Sequence, residues 1–470
     1  MESYRTGRVV RLALVAALGG LLFGWDSAVI NGATSAIKET FHLGDAGLGL
    51  VVAIALLGSA VGAWFTGALA DRFGRRTIML VSAAGFFIAA IGQAFPFGTV
   101  DLMFWRLVGG AAIGIASVAA PMYISEIAPA SIRGRLTSLQ QFAIVIGIFL
   151  TGLVNFLILN AAGGSSMAPW LFGLAAWHWM FLSLAIPAIA YFVLALRIPQ
   201  SPRWLVEVGR NDDARKVLES IYTSDVSPIL TSIQGSLGDA HKPRLSDLKG
   251  PRFGLLPIVW VGIILSVLQQ FVGINAVFYY SNTIWEAVGF AQDKAFFTSL
   301  INTGVNVVFT IVAIALIDRV GRKPLLIVGS AGMSVTLLAL TIVFATAPRS
   351  ATGAPMLADG PDLVAVLALN LYVAFFAATW GPVVWVLLGE MFPNRIRAAA
   401  LALGAAAQWL ANFVVSTTFP ALAGVSLGIA YGLFTVFALL SIPFVLAKVK
   451  ETKGVALEDM GRLDGVPASA

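Results

Sequence analysis

The sequence predicts an all-α membrane protein with twelve transmembrane helices arranged as two pseudo-symmetric halves of six. Three observations lead to this fold class. Of the 470 residues, 58% are hydrophobic and only 11% are charged, whereas soluble globular proteins carry about 25% charged residues. The apolar residues form about twelve stretches that are long enough to cross a bilayer, which takes about 20 residues. Short polar motifs also recur in the same order in both halves of the chain.

The apolar stretches predict where the helices lie. They cover residues 9–30, 47–70, 77–95, 101–122, 138–160 and 176–197 in the first half, and 254–281, 296–318, 324–346, 362–390, 398–420 and 427–447 in the second. The predicted domains are an N-terminal half at 1–198, a cytoplasmic linker with short amphipathic helices at 199–252, a C-terminal half at 253–447 and a cytoplasmic tail at 448–470. The first stretch follows a basic start but shows no convincing cleavage site, so we expect a retained helix and not a signal peptide.

The positions of lysine and arginine predict the orientation of the chain. On this map, about 26 of the 30 basic residues lie on the side that holds both termini and the linker. Lys38, Lys294 and Arg349 lie on the opposite side. Because cytoplasmic loops are enriched in basic residues, we expect a multi-pass protein of the cell (inner) membrane with both termini in the cytoplasm. The net charge of +6 then reflects topology and does not indicate a nucleic-acid partner.

Composition and motifs argue against several classes of function. The chain has no cysteine, and its three histidines lie far apart, so neither a disulfide nor a recognisable metal site is expected. Phosphate-binding and dinucleotide-binding motifs are absent from the sequence. No metal or nucleophile constellation supports a membrane enzyme. We therefore expect no cofactor, and a protein that draws its energy from a gradient.

Two loop motifs repeat between the halves. DRFGRR at 71–76 follows the second predicted helix, and DRVGRK at 318–323 follows the eighth. A glutamate is followed seven residues later by an arginine after both the fourth and the tenth helix. We expect these residues to form a cytoplasmic network of ion pairs: Asp71, Arg75, Arg76, Glu126, Arg133, Asp318, Arg322, Lys323, Glu390 and Arg397. The alternative is that they only anchor the topology.

Two charged residues fall well inside predicted helices, away from their ends, where charge is costly and usually functional. Asp26 lies about four residues from the outer end of the first predicted helix, and Arg106 about five from the outer end of the fourth. This equal depth predicts a pair. An arginine stabilises the charged form of a neighbouring carboxylate, so a movement that separates the two would favour proton uptake by Asp26. The alternatives are a static ion pair and an arginine that reaches to the interface.

Neutral amides are the other polar groups in the apolar stretches. Asn and Gln both donate and accept hydrogen bonds without charge, which suits a neutral polyol. They occur at Gln141, Gln269, Gln270, Asn275, Asn306, Gln408 and Asn412. Gly273 allows a break in the seventh helix, and Trp380 and Trp409 could stack on the apolar face of a sugar ring. The alternative for any single amide is a hydrogen bond between helices.

The sequence resembles the sugar porter family of the major facilitator superfamily over essentially its whole length. The resemblance rests on GALADRFGRR (67–76), PMYISEIAPASIRGRL (121–136), SPRWL (201–205), QQFVGINAVFYYS (269–281), IDRVGRK (317–323) and WGPVVWVLLGEMFPNRIRAAA (380–400). The chain looks most like the bacterial D-xylose–proton and D-glucose–proton symporters of that family. The resemblance implies the major facilitator fold, with parallel halves that give alternating access to a midplane site.

The resemblance also implies what the protein does. It indicates proton-coupled uptake of an aldose, D-glucose or D-xylose, by a functional monomer in the lipid bilayer, with Asp26 and Arg106 in proton coupling. The sugar-binding residues implied by the family are Phe23, Gln141, Gln269, Gln270, Asn275, Tyr279, Asn306, Trp380, Gln408 and Trp409. Tyr280 resembles part of the outer gate. Alternatives are a facilitative uniporter, a myo-inositol transporter and a non-transporting sugar sensor.

The chain departs from the family pattern at three positions. Gln200 replaces the glutamate of the family's PESPR motif, and Lys450 replaces the proline of its PETKG motif. Both departures lie in the expected cytoplasmic network and change its details, not the sugar site. Ala377 stands where human facilitators carry a glutamate in the tenth helix.

Overall fold

The computed structural model describes residues 3–129, 131–238, 245–250, 254–348, 356–357, 360–392 and 396–453. The described residues are mainly helical, and no β-strand is assigned among them. The helices of the first half are α1 Thr6–Thr40, α2 Asp45–Phe73, α3 Arg75–Ala94, α4 Thr99–Ile127, α5 Arg133–Ala161, α6 Ala176–Leu182 and α7 Ala185–Leu196. The linker carries α8 Pro202–Glu207, α9 Asn211–Ile221 and α10 Ser227–Gly238. The remaining helices are α11 Pro257–Phe271, α12 Ile274–Ala287, α13 Gln292–Val320, α14 Arg322–Thr346, α15 Pro361–Ala378, α16 Trp380–Met391, α17 Arg397–Val425 and α18 Leu427–Lys448.

Within the described parts of the chain, twelve helical segments are long and apolar enough to cross a membrane. Each of the twelve predicted stretches overlaps one of them. Three segments contain two helices each, at Ala176–Leu196, Pro257–Ala287 and Pro361–Met391. Most of the observed helices extend past the predicted limits, because hydrophobicity marks the membrane core while backbone hydrogen bonding continues into the polar ends.

The first helix is much longer than predicted. The apolar stretch was expected to end at Ile30, but α1 continues to Thr40. Ala33, Ala36 and Ile37 of the added turns are fully buried. Packing of these small and apolar side chains therefore extends the helix beyond the stretch that hydropathy detects.

The seventh predicted helix is broken at Gly273, as its glycine allows. Gly273 adopts a left-handed backbone with φ of 90°, which separates α11 from α12. A Cβ atom at this position would lie 2.3 Å from the ring of Phe434. Only glycine satisfies both the backbone conformation and the close approach of this ring.

The tenth predicted helix is also broken, and this break was not predicted. Thr379 has φ −135° and ψ −87°, and α16 begins at the next residue. Pro382 then occupies the first turn of α16, where the backbone N–H that proline lacks would have had no helical partner. The sequence signal for this break is the proline in the segment Thr379 to Pro382, which the apolar pattern conceals.

The chain divides into two compact units. The first comprises residues 1–36 and 54–241, and the second comprises 37–53 and 242–470. Inside the first unit, α3 packs against α4, α6 and α7. Inside the second, α14 packs against α15 and α18, and α11 packs against α17. The domain boundaries drawn from the sequence stay a prediction, and most of the predicted tail lies outside the described residues.

Candidate functional sites

A buried polar group in the first unit joins three helices. Asp26 on α1 and Arg106 on α4 lie with Oδ2 and Nη1 4.0 Å apart. Gln93 on α3 connects them, because its Nε2 donates to Asp26 Oδ1 at 3.3 Å and its Oε1 accepts from Arg106 Nη1 at 3.4 Å. The exposed fractions of Asp26, Gln93 and Arg106 are 0%, 0% and 2%. The structure therefore places a carboxylate, an amide and a guanidinium together in apolar surroundings.

The backbone of α1 is fixed on both sides of Asp26. Arg106 Nη1 donates to the carbonyl of Asp26 itself at 3.3 Å. From α5, Thr151 donates to the carbonyl of Trp25 at 3.5 Å, and Asn155 donates to the carbonyl of Val29 at 3.3 Å. These contacts hold the turn of α1 that carries the carboxylate against α4 and α5.

The sequence analysis paired Asp26 with Arg106 because both were expected at the same distance from the outer ends of their helices. The distance expected for Asp26 is wrong. Asp26 lies fourteen residues before the end of α1 at Thr40, not four before it. Gln93 was missed altogether. Its signal was present as a polar residue in the apolar run FFIAAIGQAF, but an isolated glutamine there is also compatible with simple helix packing.

Four amides form a connected chain in the second unit. Asn275 Nδ2 donates to Gln270 Oε1 at 2.5 Å, and Gln270 Nε2 donates to Gln269 Oε1 at 3.5 Å. Gln408 on α17 donates to the same Gln269 oxygen at 2.6 Å. The break at Gly273 lies between Gln270 and Asn275, so the end of α11 and the start of α12 both present amides to one cluster.

All the hydrogen-bonding positions of the Gln269 amide are occupied by other groups of the protein. Its Nε2 donates to the carbonyls of Trp380 and Gly381, at 2.8 and 3.1 Å, in the first turn of α16. Its oxygen accepts from two other amides. An amide offers two donors and two acceptor positions, so a ligand of Gln269 would have to replace one of these bonds. Gln408 Oε1, in contrast, is buried and accepts no hydrogen bond from the described residues.

The other predicted sugar residues lie at separate positions in the two units. Trp380 is fully buried, and its indole N–H donates to Leu326 O at 3.0 Å and to Ser330 Oγ at 3.1 Å. Asn306 and Tyr279 are also buried. Residues with intermediate exposure are Phe23 and Gln141 in the first unit and Trp409 in the second. Their contact with sugar stays a prediction.

Tyr280, the predicted gate residue, stands at a local distortion of α12. Its φ of −123° departs from helical geometry. Its hydroxyl donates to the carbonyl of Ser416 at 2.8 Å, and its ring stacks on Phe419 with centroids 5.5 Å apart. The tyrosine therefore ties α12 to α17 within the second unit. Its gating role stays a prediction.

In the first unit, the loop motif pairs with the glutamate that ends the fourth predicted helix. Arg75 Nη2 lies 3.0 Å from Glu126 Oε1 and 3.1 Å from Asp71 Oδ1. Arg75 Nη1 also donates to the carbonyl of Ala70 at 3.1 Å. Ser201 Oγ donates to the second oxygen of Glu126. Arg75 is only 4% exposed, so its pair with Glu126 is shielded from solvent, while the side chain of Asp71 is about half exposed.

The second unit repeats this arrangement. Arg322 binds Glu390 through two nitrogens, Nε at 3.0 Å and Nη2 at 2.7 Å, and also pairs with Asp318 at 3.1 Å. Arg322 Nη1 donates to the carbonyl of Ile317 at 3.1 Å. Thr452 Oγ1 donates to Glu390 at 2.6 Å. The glutamates and first arginines of the repeated motifs therefore meet as paired groups within each unit.

The other predicted members of this network contact backbone carbonyls. Arg133 Nη2 donates to Ala128 O at 3.4 Å, and Arg397 Nε donates to Phe392 O at 3.1 Å. The second basic residue of each loop motif also reaches carbonyls. Arg76 Nη2 donates to Leu196 O at 2.6 Å, and Lys323 Nζ donates to Leu446 O at 2.9 Å. Carbonyl contacts therefore add to the network, because helix ends offer carbonyls at the same place. The ion pairing of these four residues stays a prediction.

The PQSPR and KETKG segments complete the two clusters, and they are a third repeat that the sequence analysis named without relating its two copies. Gln200 Oε1 accepts from the backbone N–H of Arg76 at 3.1 Å, at the start of α3. Glu451 accepts from the backbone N–H groups of Arg322 and Lys323, both at 3.0 Å, at the start of α14. Gln200 precedes Ser201 as Glu451 precedes Thr452. The first half therefore caps its helix with a neutral amide and the second half with a carboxylate.

Glu451 has an altered affinity for protons. Burial raises the pKa of its carboxyl, but hydrogen bonds from four backbone N–H groups outweigh burial and hold the pKa below its ordinary value of 4.5. The donors are the N–H groups of Lys453, Arg322, Lys323 and Thr452. Two of them open α14, where the helix dipole also favours a negative charge.

The architecture defines the class of protein. Twelve spanning helices in two related halves, each with the same paired motifs, form a multi-pass membrane protein with the major facilitator fold. The chain belongs to the sugar (and other) transporter family, whose model matches residues 12–463. It is therefore a sugar-family transporter and not an enzyme, as the sequence predicted.

Curated relatives and solved structures agree with this assignment. The chain is 51% identical over 453 residues to the glucose transport protein of Synechocystis sp., covering 96% of this chain and 97% of the relative. It is 37% identical over 494 residues to the D-xylose-proton symporter of Escherichia coli, covering 98% and 96%. A solved structure titled as the inward open conformation of the xylose transporter XylE from E. coli matches with a TM-score of 0.82 and 36% identity, covering 97% of this chain and 99% of that one.

In the described part of the chain, no group of three or more His, Cys, Asp or Glu side chains could hold a metal ion.

Proposed function

We propose that this protein takes up an aldose, D-glucose or D-xylose, in symport with a proton. The observation that carries the proposal is the burial of Asp26 beside Arg106 within apolar helices. An ionisable pair at such a position is costly and is usually retained for transport of charge. The names of relatives support the substrate, since they include a glucose transport protein and a D-xylose-proton symporter.

In this mechanism, Asp26 accepts the proton. Oδ2 of Asp26 is buried and accepts no hydrogen bond from the described residues. The carboxylate can therefore take up a proton on Oδ2 without first breaking a hydrogen bond there. The proton neutralises the carboxylate and removes its attraction for Arg106. Alternating access then carries the sugar and the proton across the membrane together.

The amide chain supports the second half of the proposal. Gln270 and Gln408 are bound to Gln269, and Asn275 is bound to Gln270. Each of these three amides keeps hydrogen-bonding capacity that Gln269 lacks. We assign these three amides to contacts with sugar hydroxyls, with Gln269 as the residue that orders them. The basic-residue asymmetry of the sequence further supports an inner-membrane location with cytoplasmic termini. We propose a functional monomer surrounded by lipid.

The decisive experiment compares the wild type with Asp26→Asn in vesicles that carry an imposed proton gradient. A proton moved down 100 mV releases about 2.3 kcal/mol, which supports roughly fiftyfold accumulation of sugar at 1.4 kcal/mol per decade. The wild type should concentrate sugar and alkalinise the medium. Asp26→Asn keeps the size of the side chain but cannot titrate, so it should lose both effects while still binding sugar.

Three outcomes separate the alternatives. A wild type that equilibrates sugar but ignores the gradient is a uniporter, and symport is then wrong. An Asp26→Asn variant that still concentrates sugar would remove Asp26 from the mechanism. If the variant loses expression and sugar binding together with transport, Asp26 and Arg106 form a static structural pair.

A further inference from the structure

Gln93 connects the two charged groups of the proton site. It is fully buried on α3 and contacts Asp26 through its donor and Arg106 through its acceptor. A second contact, from Nε2 to the carbonyl of Trp105 at 3.5 Å, ties the same amide to α4. One side chain therefore contacts both partners whose separation the symport mechanism requires.

The surrounding helices are shaped to hold this amide. A Cβ atom at Gly109 would lie 2.8 Å from Gln93 Nε2 and 3.0 Å from Asp26 Oδ2, so α4 approaches the group only because residue 109 is a glycine. A Cβ atom at Gly92 would lie 2.0 Å from the ring of Trp105. The ring fills this gap and fixes the end of α3 that carries Gln93. The amide position is thus determined by packing on both helices.

The chemistry of the three groups sets the direction of the amide. An ionised carboxylate only accepts and a guanidinium only donates, so the glutamine must point its N–H at Asp26 and its oxygen at Arg106. A proton on Oδ2 makes Asp26 a donor, but in the described residues Oδ2 has no hydrogen-bond partner. The carboxyl group can turn about its own terminal torsion, which brings the O–H to the side of Gln93 that Oδ1 occupied. The terminal torsion of glutamine has two nearly equivalent orientations, so the amide can turn and accept from the new O–H. The N–H group of the turned amide then faces the N–H groups of the guanidinium. Two donors cannot form a hydrogen bond with each other, so this contact becomes unfavourable.

We propose that Gln93 is a positioning residue that links protonation of Asp26 to the release of Arg106. The proton that binds Asp26 reverses the hydrogen bond between Asp26 and Gln93. The turned amide withdraws the acceptor from Arg106 at the moment when the carboxylate loses its charge. This inference rests on the proposed symport function and adds to it the residue that couples the two events.

The helices that pack on α3 carry other titratable groups. On α6, His178 Nδ1 lies 2.5 Å from the carbonyl of Ala94. On α7, the hydroxyl of Tyr191 lies beside Gly19 of α1. On α4, Asp101 accepts from the backbone N–H of Phe97 near the exposed start of the helix. These groups are the same in the wild type and in every variant below, so a difference between variants cannot come from them.

The test is the pH at which proton-driven sugar accumulation is half-maximal in vesicles. Gln93→Met keeps the length of the side chain but removes its donor and its acceptor. Both forms of Asp26 then lose a hydrogen bond, but the bond to the ionised carboxylate is the stronger one, and the difference is worth about one decade in the proton equilibrium. We expect the half-maximal pH of Gln93→Met to rise by about one unit.

Ser82→Ala is the matched control. It removes a buried hydrogen bond of 2.9 Å from α3 to the Ala112 carbonyl of α4, without touching the Asp26 group. Its half-maximal pH should equal that of the wild type. If Gln93→Met does not insert, Gln93→Glu keeps a polar side chain of the same length and should also raise the half-maximal pH, because a second carboxylate faces Asp26.

The outcomes distinguish this inference from the proposed function. A wild type that ignores the gradient contradicts symport itself. A wild type that responds, together with Gln93 variants whose half-maximal pH is unchanged, leaves symport intact and shows that Gln93 only packs. An equal shift in Ser82→Ala would mean that any loosening of α3 from α4 changes the profile, and would also overturn the positioning role.

Discussion

At the scale of single residues, the two candidate sites use different chemistry. The Asp26 group joins opposite charges through an amide, whereas the amide chain of the second unit carries no formal charge. These two kinds of group suit the proton and the neutral sugar of the proposed function. The sequence identified every member of the amide chain as a candidate, from the amides in the apolar stretches together with the resemblance to sugar porters. It missed Gln93, because the partner that explains this glutamine lies 67 positions away in the sequence.

Replacement of Gln270 by alanine should weaken sugar binding. Gln270 donates to Gln269 and accepts from Asn275, so its removal deletes one sugar contact and leaves Asn275 without its acceptor. A hydrogen bond to a neutral group is worth about 0.5–1.5 kcal/mol. The dissociation constant for sugar, measured on the purified protein, should rise about two- to tenfold.

Asn370→Ala is the control for Gln270→Ala. Asn370 donates only within α15, to Val366 O at 2.8 Å, and lies outside the amide chain. Its removal should leave the sugar affinity unchanged. Equal affinities of the wild type and Gln270→Ala would exclude Gln270 from the sugar site.

At the scale of helices, broken segments and helix ends determine where the functional groups lie. The break at Gly273 places amides from two helices in one cluster, and the break at Thr379 brings the carbonyls of Trp380 and Gly381 to Gln269. Gly273 could be recognised in the sequence as a permissive residue. The Thr379 break is harder to recognise, because its one signal, Pro382, lies within a mainly apolar stretch from 362 to 390.

The cap formed by Glu451 should stabilise the second unit in a pH-dependent way. The pKa of this carboxyl is lowered in the folded protein, so its stabilisation is complete above the ordinary value of 4.5 and is lost as the pH falls through the lowered pKa. Glu451→Gln should lower the unfolding temperature at pH 7, where an anion at a helix N-terminus contributes about 0.3–1 kcal/mol. The difference from the wild type should vanish in strong acid.

Asp318→Asn provides the comparison for this effect. Asp318 is a mostly exposed carboxylate of the same cluster, paired with Arg322 but bonded to no backbone N–H of α14. An exposed ion pair contributes little to stability, so this variant should melt close to the wild type at pH 7. A Glu451→Gln variant that melts like the wild type at pH 7 would show that the cap does not stabilise the unit.

At the scale of the whole molecule, the repeated motifs form the same set of contacts in both halves. Each half closes its loop motif with an arginine, a glutamate and a hydroxyl, at Arg75, Glu126 and Ser201 or at Arg322, Glu390 and Thr452. The halves differ in the cap, which is neutral at Gln200 and charged at Glu451. The charge of the second cap gives that half a sensitivity to pH and salt that the first cap lacks.

The orientation of the chain can be measured with reporters in two loops. Arg210 lies between α8 and α9 in the basic linker, and Gly164 lies in the loop between α5 and α6. Because basic loops remain in the cytoplasm, a reporter after Arg210 should be cytoplasmic and one near Gly164 external. Each insertion serves as the experimental control for the other, because the two reporters should give opposite results. A cytoplasmic reporter at Gly164 would contradict the helix count of the first half.

The sequence by itself determined the class of fold, the twelve spans and the family, because hydrophobic length and short motifs are local properties of the chain. It also identified Asp26, Arg106 and the amides, because polar groups stand out in apolar helices. Only the tertiary structure decided what each group contacts: Gln93 between the two charges, Gln269 saturated by its neighbours, and Glu451 on the start of α14. These contacts join residues far apart in the chain, and they depend on close approaches at glycines such as Gly109 that no local pattern reveals.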